Sequence, residues 1–167
     1  RADLGIIGDL TNTGQFHIAP LGGIVQVDGY FVISGAGGFV LIAGGGMELI
    51  GDLGGGTANF TNNATNATGV SINTNRFLVA DTITNGSGAY INNLGRLEGR
   101  DAIIKNGTIN SNAATSILKG NVTNNGTINA QGAVDGNVTN AATSAFNVTG
   151  NLAQTGNLTN AGQMALK

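Results

Sequence analysis

Cysteine is absent, proline occurs once, at Pro20, and only 10% of the 167 residues are charged. Without cysteine there is neither a disulfide framework nor a thiolate metal site. Scarce proline and low charge exclude the usual composition of a disordered chain, and 41% apolar content argues for a folded one. A formal net charge of −2 leaves no basic footprint for nucleic acid. Between Gly136 and Ala165 no side chain is ionisable, which is unusual for the surface of a cytosolic domain. The chain opens on Arg1, with neither an initiator methionine nor a signal peptide, and so reads as a processed product or a fragment.

Long hydrophobic runs are nearly absent as well. The one uncharged stretch long enough to cross a membrane is Gly29 to Met47, "GYFVISGAGGFVLIAGGGM". Its glycines, and the segments "YFVIS" and "FVLIA" on either side of "GAGG", favour two buried strands joined by a glycine turn over a membrane helix.

Catalytic signals are equally sparse. His17 is the only imidazole, and no nucleophile elbow, phosphate loop or dinucleotide signature occurs. The seven aspartates are scattered and make no metal-ligand spacing, so no cofactor is implied. The densest charged cluster is "RLEGRD": Arg96, Glu98, Arg100 and Asp101. Strand alternation places Arg96, Glu98 and Arg100 on one face, where they neutralise one another as an ion-pair patch. The competing reading is a polysaccharide-binding or -cleaving surface, with Glu98 and Asp101 as the paired carboxylates of glycoside hydrolysis.

What the chain has in abundance is Asn, Thr, Gly, Val and Ile, all mediocre or poor helix formers, so an all-β fold is expected. They recur as a tripeptide of an apolar residue, a polar residue and Asn. Four copies extend to seven residues: "LTNTGQF", "INNLGRL", "VTNNGTI" and "LTNAGQM". In each, a glycine (Gly14, Gly95, Gly126, Gly162) falls two residues after the Asn, and an apolar residue two later. Asn and Gly tolerate the left-handed backbone of a sharp corner. The corners are therefore assigned to Asn12, Asn85, Asn93, Asn106, Asn124, Asn140 and Asn160. Copies starting at Ile91, Ile104, Val122, Val138 and Leu158 lie 13, 18, 16 and 20 residues apart, close to one turn of a β-solenoid.

Stacked coils bury the apolar positions and align the Asn side chains into amide ladders. The expectation is an all-β parallel β-helix of roughly eight irregular coils with Asn/Gly corners. Val122, Ile128, Val138, Leu158 and Ile104 should point inward. An antiparallel sandwich is the alternative. The chain divides by texture into a glycine-rich part (1–56), a loop-bearing part (57–82) and the Asn/Thr coils (83–167), all in one solenoid. Within it, "GIVQVDGYFVIS" reads as a strand pair turning at Asp28-Gly29, and Asn59 to Gly69 as a polar surface loop.

The copies "GNVTNNGTINAQG" and "GNLTNAGQMAL" resemble passenger segments of bacterial autotransporters and of filamentous-haemagglutinin-like exoproteins of two-partner secretion. The resemblance covers residues 83–167 and, locally, Leu10 to Phe16. It implies an extracellular right-handed parallel β-helix serving as an adhesin or biofilm factor at a bacterial surface, with a host or matrix glycan as candidate partner. Repeat units near both ends, "DLTNTGQF" and "LTNAGQMALK", add the expectation of end-to-end self-association or of continuation into further coils.

Overall fold

A computed structural model of the chain describes residues 2–51 and 56–167. Three short strands and three corners make each coil. Coil 1 is β1 (Leu4–Ile7), β2 (Leu10–Asn12) and β3 (Gln15–Ile18); coil 2 is β4 (Ile24–Asp28), β5 (Phe31–Gly35) and β6 (Phe39–Ile42). Coil 3 is β7 (Gly46–Leu49), β8 (Phe60–Ala64) and β9 (Val70–Ile72). In coils 4 and 5 the first two strands run together around their corner, as β10 (Phe77–Asn85) before β11 (Tyr90–Asn93) and β12 (Arg96–Lys105) before β13 (Thr108–Ser111). Coil 6 begins with β14 (Ile117–Lys119) and β15 (Val122–Asn124), and β16 (Thr127–Asp135) carries the chain from coil 6 into coil 7. After β17 (Val138–Asn140), β18 (Ala145–Thr155) leads into coil 8, which ends with β19 (Leu158–Asn160) and β20 (Gln163–Leu166).

Every strand pairs in parallel with its counterpart one coil away, giving three flat faces and a β-solenoid of eight turns. The second face sets the repeat. Leu10, Phe31, Phe60, Ile83, Ile103, Val122, Val138 and Leu158 stand in one register column. The steps between them range from 16 residues (Val122 to Val138) to 29 (Phe31 to Phe60), because insertions are absorbed at corners while the strands keep register.

A strand of three residues has an inward, an outward and an inward position. Each face therefore feeds the interior with an apolar column: Val25, Met47, Leu78, Leu97, Leu118 and Val134 on the first, Phe31 to Val138 on the second. Val40, Val70, Ile91, Ile109, Ile128 and Phe146 supply the third, and all of these residues are at most 7% exposed. Aromatics pack across the interior near the start: Phe16 of the third face meets Phe31 of the second edge to face at 5.6 Å, and Phe31 meets Phe60 one coil on at 5.4 Å.

Several expectations need correction. Ile104 faces outward, because Ile103 occupies the register position of Val122. Leu158 holds the correct column but is 37% exposed, since no further coil covers it. β4 and β5 do not form a pair around Asp28-Gly29; they lie on adjacent faces, and each pairs with other coils. Phe60–Ala64 is a strand with Phe60, Asn62 and Ala64 buried, so only the remainder of the Asn59 to Gly69 stretch is a corner. As expected, the apolar run at 29–47 supplies two strands joined by a glycine turn, β5 and β6 with the turn at residues 36–38, and it ends in the first residues of β7. No helix of the described residues is long and apolar enough to cross a membrane.

The corner glycines also act differently from expectation. Gly14, Gly95, Gly126 and Gly162 are not in the left-handed region. At the three stacked on a preceding coil, Gly95, Gly126 and Gly162, the demand is for close approach, because a Cβ would strike carbonyls of that coil. Left-handed glycines occur at other corner positions, such as Gly35, Gly88 and Gly132, and between the first and second faces, where Gly99, Gly120, Gly136 and Gly156 stack. The last three have φ of 121°, 139° and 86°. A Cβ on any of these three would collide with the backbone of the glycine below.

Candidate functional site

The inner end of the second face carries a polar column. In register order it reads Asn12, Ile33, Asn62, Asn85, Lys105, Asn124, Asn140 and Asn160. Asn62, Asn85, Lys105, Asn124 and Asn140 are fully buried. The amides bond along the stack in one direction. Asn62 Nδ2 donates to Asn85 Oδ1 at 2.8 Å, Asn124 Nδ2 to Asn140 Oδ1 at 2.6 Å, and Asn140 Nδ2 to Asn160 Oδ1 at 2.6 Å.

Each Nδ2 also reaches a carbonyl of the next coil: Tyr90 from Asn62, Thr108 from Asn85, Ala145 from Asn124 and Gln163 from Asn140. Meanwhile Oδ1 of Asn12, Asn62 and Asn124 accepts from the backbone N–H two residues on. One side chain thus closes its own corner and ties it to the next, satisfying buried groups that would each cost about 1–3 kcal/mol unpaired. This is why the position calls for Asn rather than Ser or Asp.

Lys105 is the exception. Its side chain is fully buried, and Nζ donates to Asn124 Oδ1 at 2.8 Å. Burial pushes its amine down from 10.5 to about 7.

The expected corner residues divide accordingly. Asn12, Asn85, Asn124, Asn140 and Asn160 belong to this column. Asn93 closes the far end of the third face, donating to Ser111 Oγ at 3.1 Å and to the Ile117 carbonyl. Asn106 is no corner residue of this kind: it is exposed, and its Oδ1 accepts from Asn125 in a short surface ladder. Asn62 ends a copy of the repeat, Phe60-Thr61-Asn62, but lies in the stretch expected to be a surface loop, and Lys105 was not expected. The signal for Lys105 lay in aligning "IIKNGTI" with "VTNNGTI", which matches Ile103 with Val122, Lys105 with Asn124 and Gly107 with Gly126.

A second ladder runs on the outside of the third face. Asn147 donates to Asn129, Asn129 to Asn110, and Asn110 to Asn92, at 2.7–3.0 Å and toward the start of the chain. The outward column of the second face reads Thr11, Val32, Thr61, Thr84, Ile104, Thr123, Thr139 and Thr159, with no charge.

Charge gathers on the first face and its corner. Glu98 accepts from Arg96 at 2.8 Å and pairs with Lys119 at 3.1 Å, one coil on. Arg96 also lies over the Phe77 ring at 5.3 Å. Arg100 does not share this face. A bulge sets Arg100 and Asp101 opposite Asp81 alone, turning Arg100 around the corner. There it bonds Glu48 at 2.7 Å, Asp81 at 3.1 Å and the Leu49 carbonyl at 2.8 Å. Asp101 is exposed. Arg96, Glu98 and Arg100 are thus tied up in mutual neutralisation across coils 3 to 6. The only histidine, His17, is an exposed residue on the third face, edge-on to the Phe39 ring.

Comparison with protein families, with curated proteins and with solved structures gives no match to this chain.

Proposed function

We propose that the chain is a length of non-enzymatic structural β-solenoid from a bacterial surface, part of an adhesin or of a fibre. Its end coils would pair with further coils, of a second copy or of the same longer chain. The observation that carries this reading is the match between the two end coils. In register, Leu158 corresponds to Leu10, Thr159 to Thr11, Asn160 to Asn12, Met164 to Phe16 and Leu166 to Ile18.

The large exposed apolar residues include Leu4, Ile7, Leu158, Met164 and Leu166 of these coils, at 37–95% exposure. Each end also presents three strands paired on one side only, an edge that invites another strand. The polarity of the inner ladder adds a direction. Amide donors point toward coil 8 and acceptors toward coil 1, so coil 8 of one copy suits coil 1 of another, whereas like ends would oppose donor to donor or acceptor to acceptor. Such a head-to-tail contact does not close on itself and grows as a filament. The uncharged Thr and Asn faces would then form the long surface offered to a matrix or host glycan.

Negative-stain electron microscopy of the purified 167-residue chain at micromolar concentration tests the reading, alongside a Leu158→Lys, Met164→Lys variant. Filaments that the double substitution abolishes are expected. A chain that stays monomeric at every concentration removes the fibre arm. Binding to none of a panel of matrix polysaccharides and surface glycans removes the adhesive one.

A further inference from the structure

We propose that Lys105 makes the boundary between coils 5 and 6 a proton-sensitive joint, opening locally when the ammonium is charged and closing when the amine is neutral. At the described Asn levels above and below it, the column position carries a neutral amide. Those amides link adjacent Asn residues and reach the next coil's carbonyl. At coil 5 the chain is interrupted. Asn85 spends its Nδ2 protons on the Ala89 and Thr108 carbonyls, so the ladder does not pass through Lys105. A charged Nζ has three protons to place, and its hydrogen bond goes to Asn124 Oδ1, which the Gly126 N–H already shares.

Among the described residues, no opposite charge offsets the burial. On β10, Asp81 is engaged outside the coil by Arg100, and β11 carries only the outward Tyr90 as a titratable group. On its own strand β12, Glu98 is held by Arg96 and Lys119, the latter from β14, and Asp101 is exposed. β13, β15 and β17 carry no ionisable residue, and Asp135 on β16 is exposed. The space is tight as well: a Cβ on Gly126 would come within 2.7 Å of Nζ, leaving no room for hydrating water on that side.

Desolvation agrees with the geometry, holding the amine near 7 against 10.5 in the open state. The open state binds the extra proton between these values, so closure strengthens as pH rises from 7 to 10.5 and is weakest, and constant, below 7. Across that window the opening constant should fall by up to about tenfold per pH unit.

Hydrogen exchange of the wild-type chain from pH 6 to 10, corrected for intrinsic rates, reads this directly beside Lys105→Asn and Lys105→Met. The expected result is pH-dependent opening concentrated in amides of β12, β13 and β15, and absent from both variants. Opening that is flat with pH, spread evenly over all coils, or unchanged in the variants overturns the joint. Should neither variant fold, the wild-type chain still decides. NMR titration of the Lys105 side chain with a midpoint near 7 supports the proposal, and an ordinary lysine midpoint overturns it.

Discussion

Asn124 Nδ2 donates to Asn140 Oδ1 at 2.6 Å, joining coils 6 and 7 through a hydrogen bond that no solvent reaches. Asn124 and Asn140 each make four side-chain hydrogen bonds, and the Oδ1 of Asn124 also accepts from Lys105 Nζ and from the Gly126 N–H. Asn124→Ala leaves these buried partners unsatisfied and should cost about 3 kcal/mol or more. Asn106→Ala, at an exposed corner one coil earlier, should stay within about 0.5 kcal/mol. Urea unfolding of the two variants separates a structural Asn from one that only resembles it in sequence.

The two variants also mark how far sequence alone could reach. Alternation and the Asn repeat identify a parallel solenoid because apolar columns and amide ladders leave a periodic trace. The trace slips where two apolar residues adjoin. Ile103 and Ile104 offer two registers, and choosing the one that ended in Asn106 sent Ile104 inward and hid Lys105. Leu158 and Val138 occupy identical positions, yet only the neighbouring coil decides burial. Arg100 was misplaced for a third reason: a bulge opposite Asp81 breaks the alternation at a corner, and one extra residue leaves no mark in composition.

Replacing Lys105 with Asn should restore an unbroken ladder from Asn62 to Asn160. At pH 7 the gain should be about 1–3 kcal/mol, since an uncompensated buried amine gives way to a satisfied amide. The benefit should be largest below pH 7, where the wild-type lysine is charged in both states, and should shrink toward pH 10.5 as its folded and unfolded states come to share the neutral form. Thermal or urea midpoints for both chains at pH 6 and pH 9.5 check the sign. A larger advantage at the higher pH contradicts it.

The stacked corner glycines predict a graded response to alanine. Gly136 has φ of 139°, and a Cβ there would collide with Gly120. Gly35 has φ of 77° with open space around the position. Gly35→Ala therefore meets backbone strain alone, costing about 1 kcal/mol. Gly136→Ala adds a clash with backbone that cannot shift without breaking the coil's register, and should cost several kcal/mol. Equal losses in the two variants would mean that the stack yields at this corner.

Ladder polarity makes a last prediction at the ends. Asn160 Oδ1 accepts from Asn140, while its Nδ2 donates only to the Gly162 carbonyl of its own coil, at 3.2 Å. Elsewhere in the column that amine is shared with the next coil. In a head-to-tail contact the acceptor for it is Asn12 Oδ1 of a second copy. Asn160→Asp keeps the acceptor for Asn140 and deletes the donor, placing a carboxylate against an oxygen. Association should weaken by about 10- to 100-fold, for the loss of one hydrogen bond and the new repulsion together. Asn12→Asp keeps the acceptor at the junction and gives up its bonds to the Gly14 and Phe39 carbonyls, which lie within the chain. Its cost should fall on the stability of coils 1 and 2, with association changed less. Sedimentation velocity across a concentration series, read beside urea unfolding, distinguishes the two. If both substitutions weaken association equally while leaving stability alone, the ladder has no direction at the junction and the ends join by apolar contact.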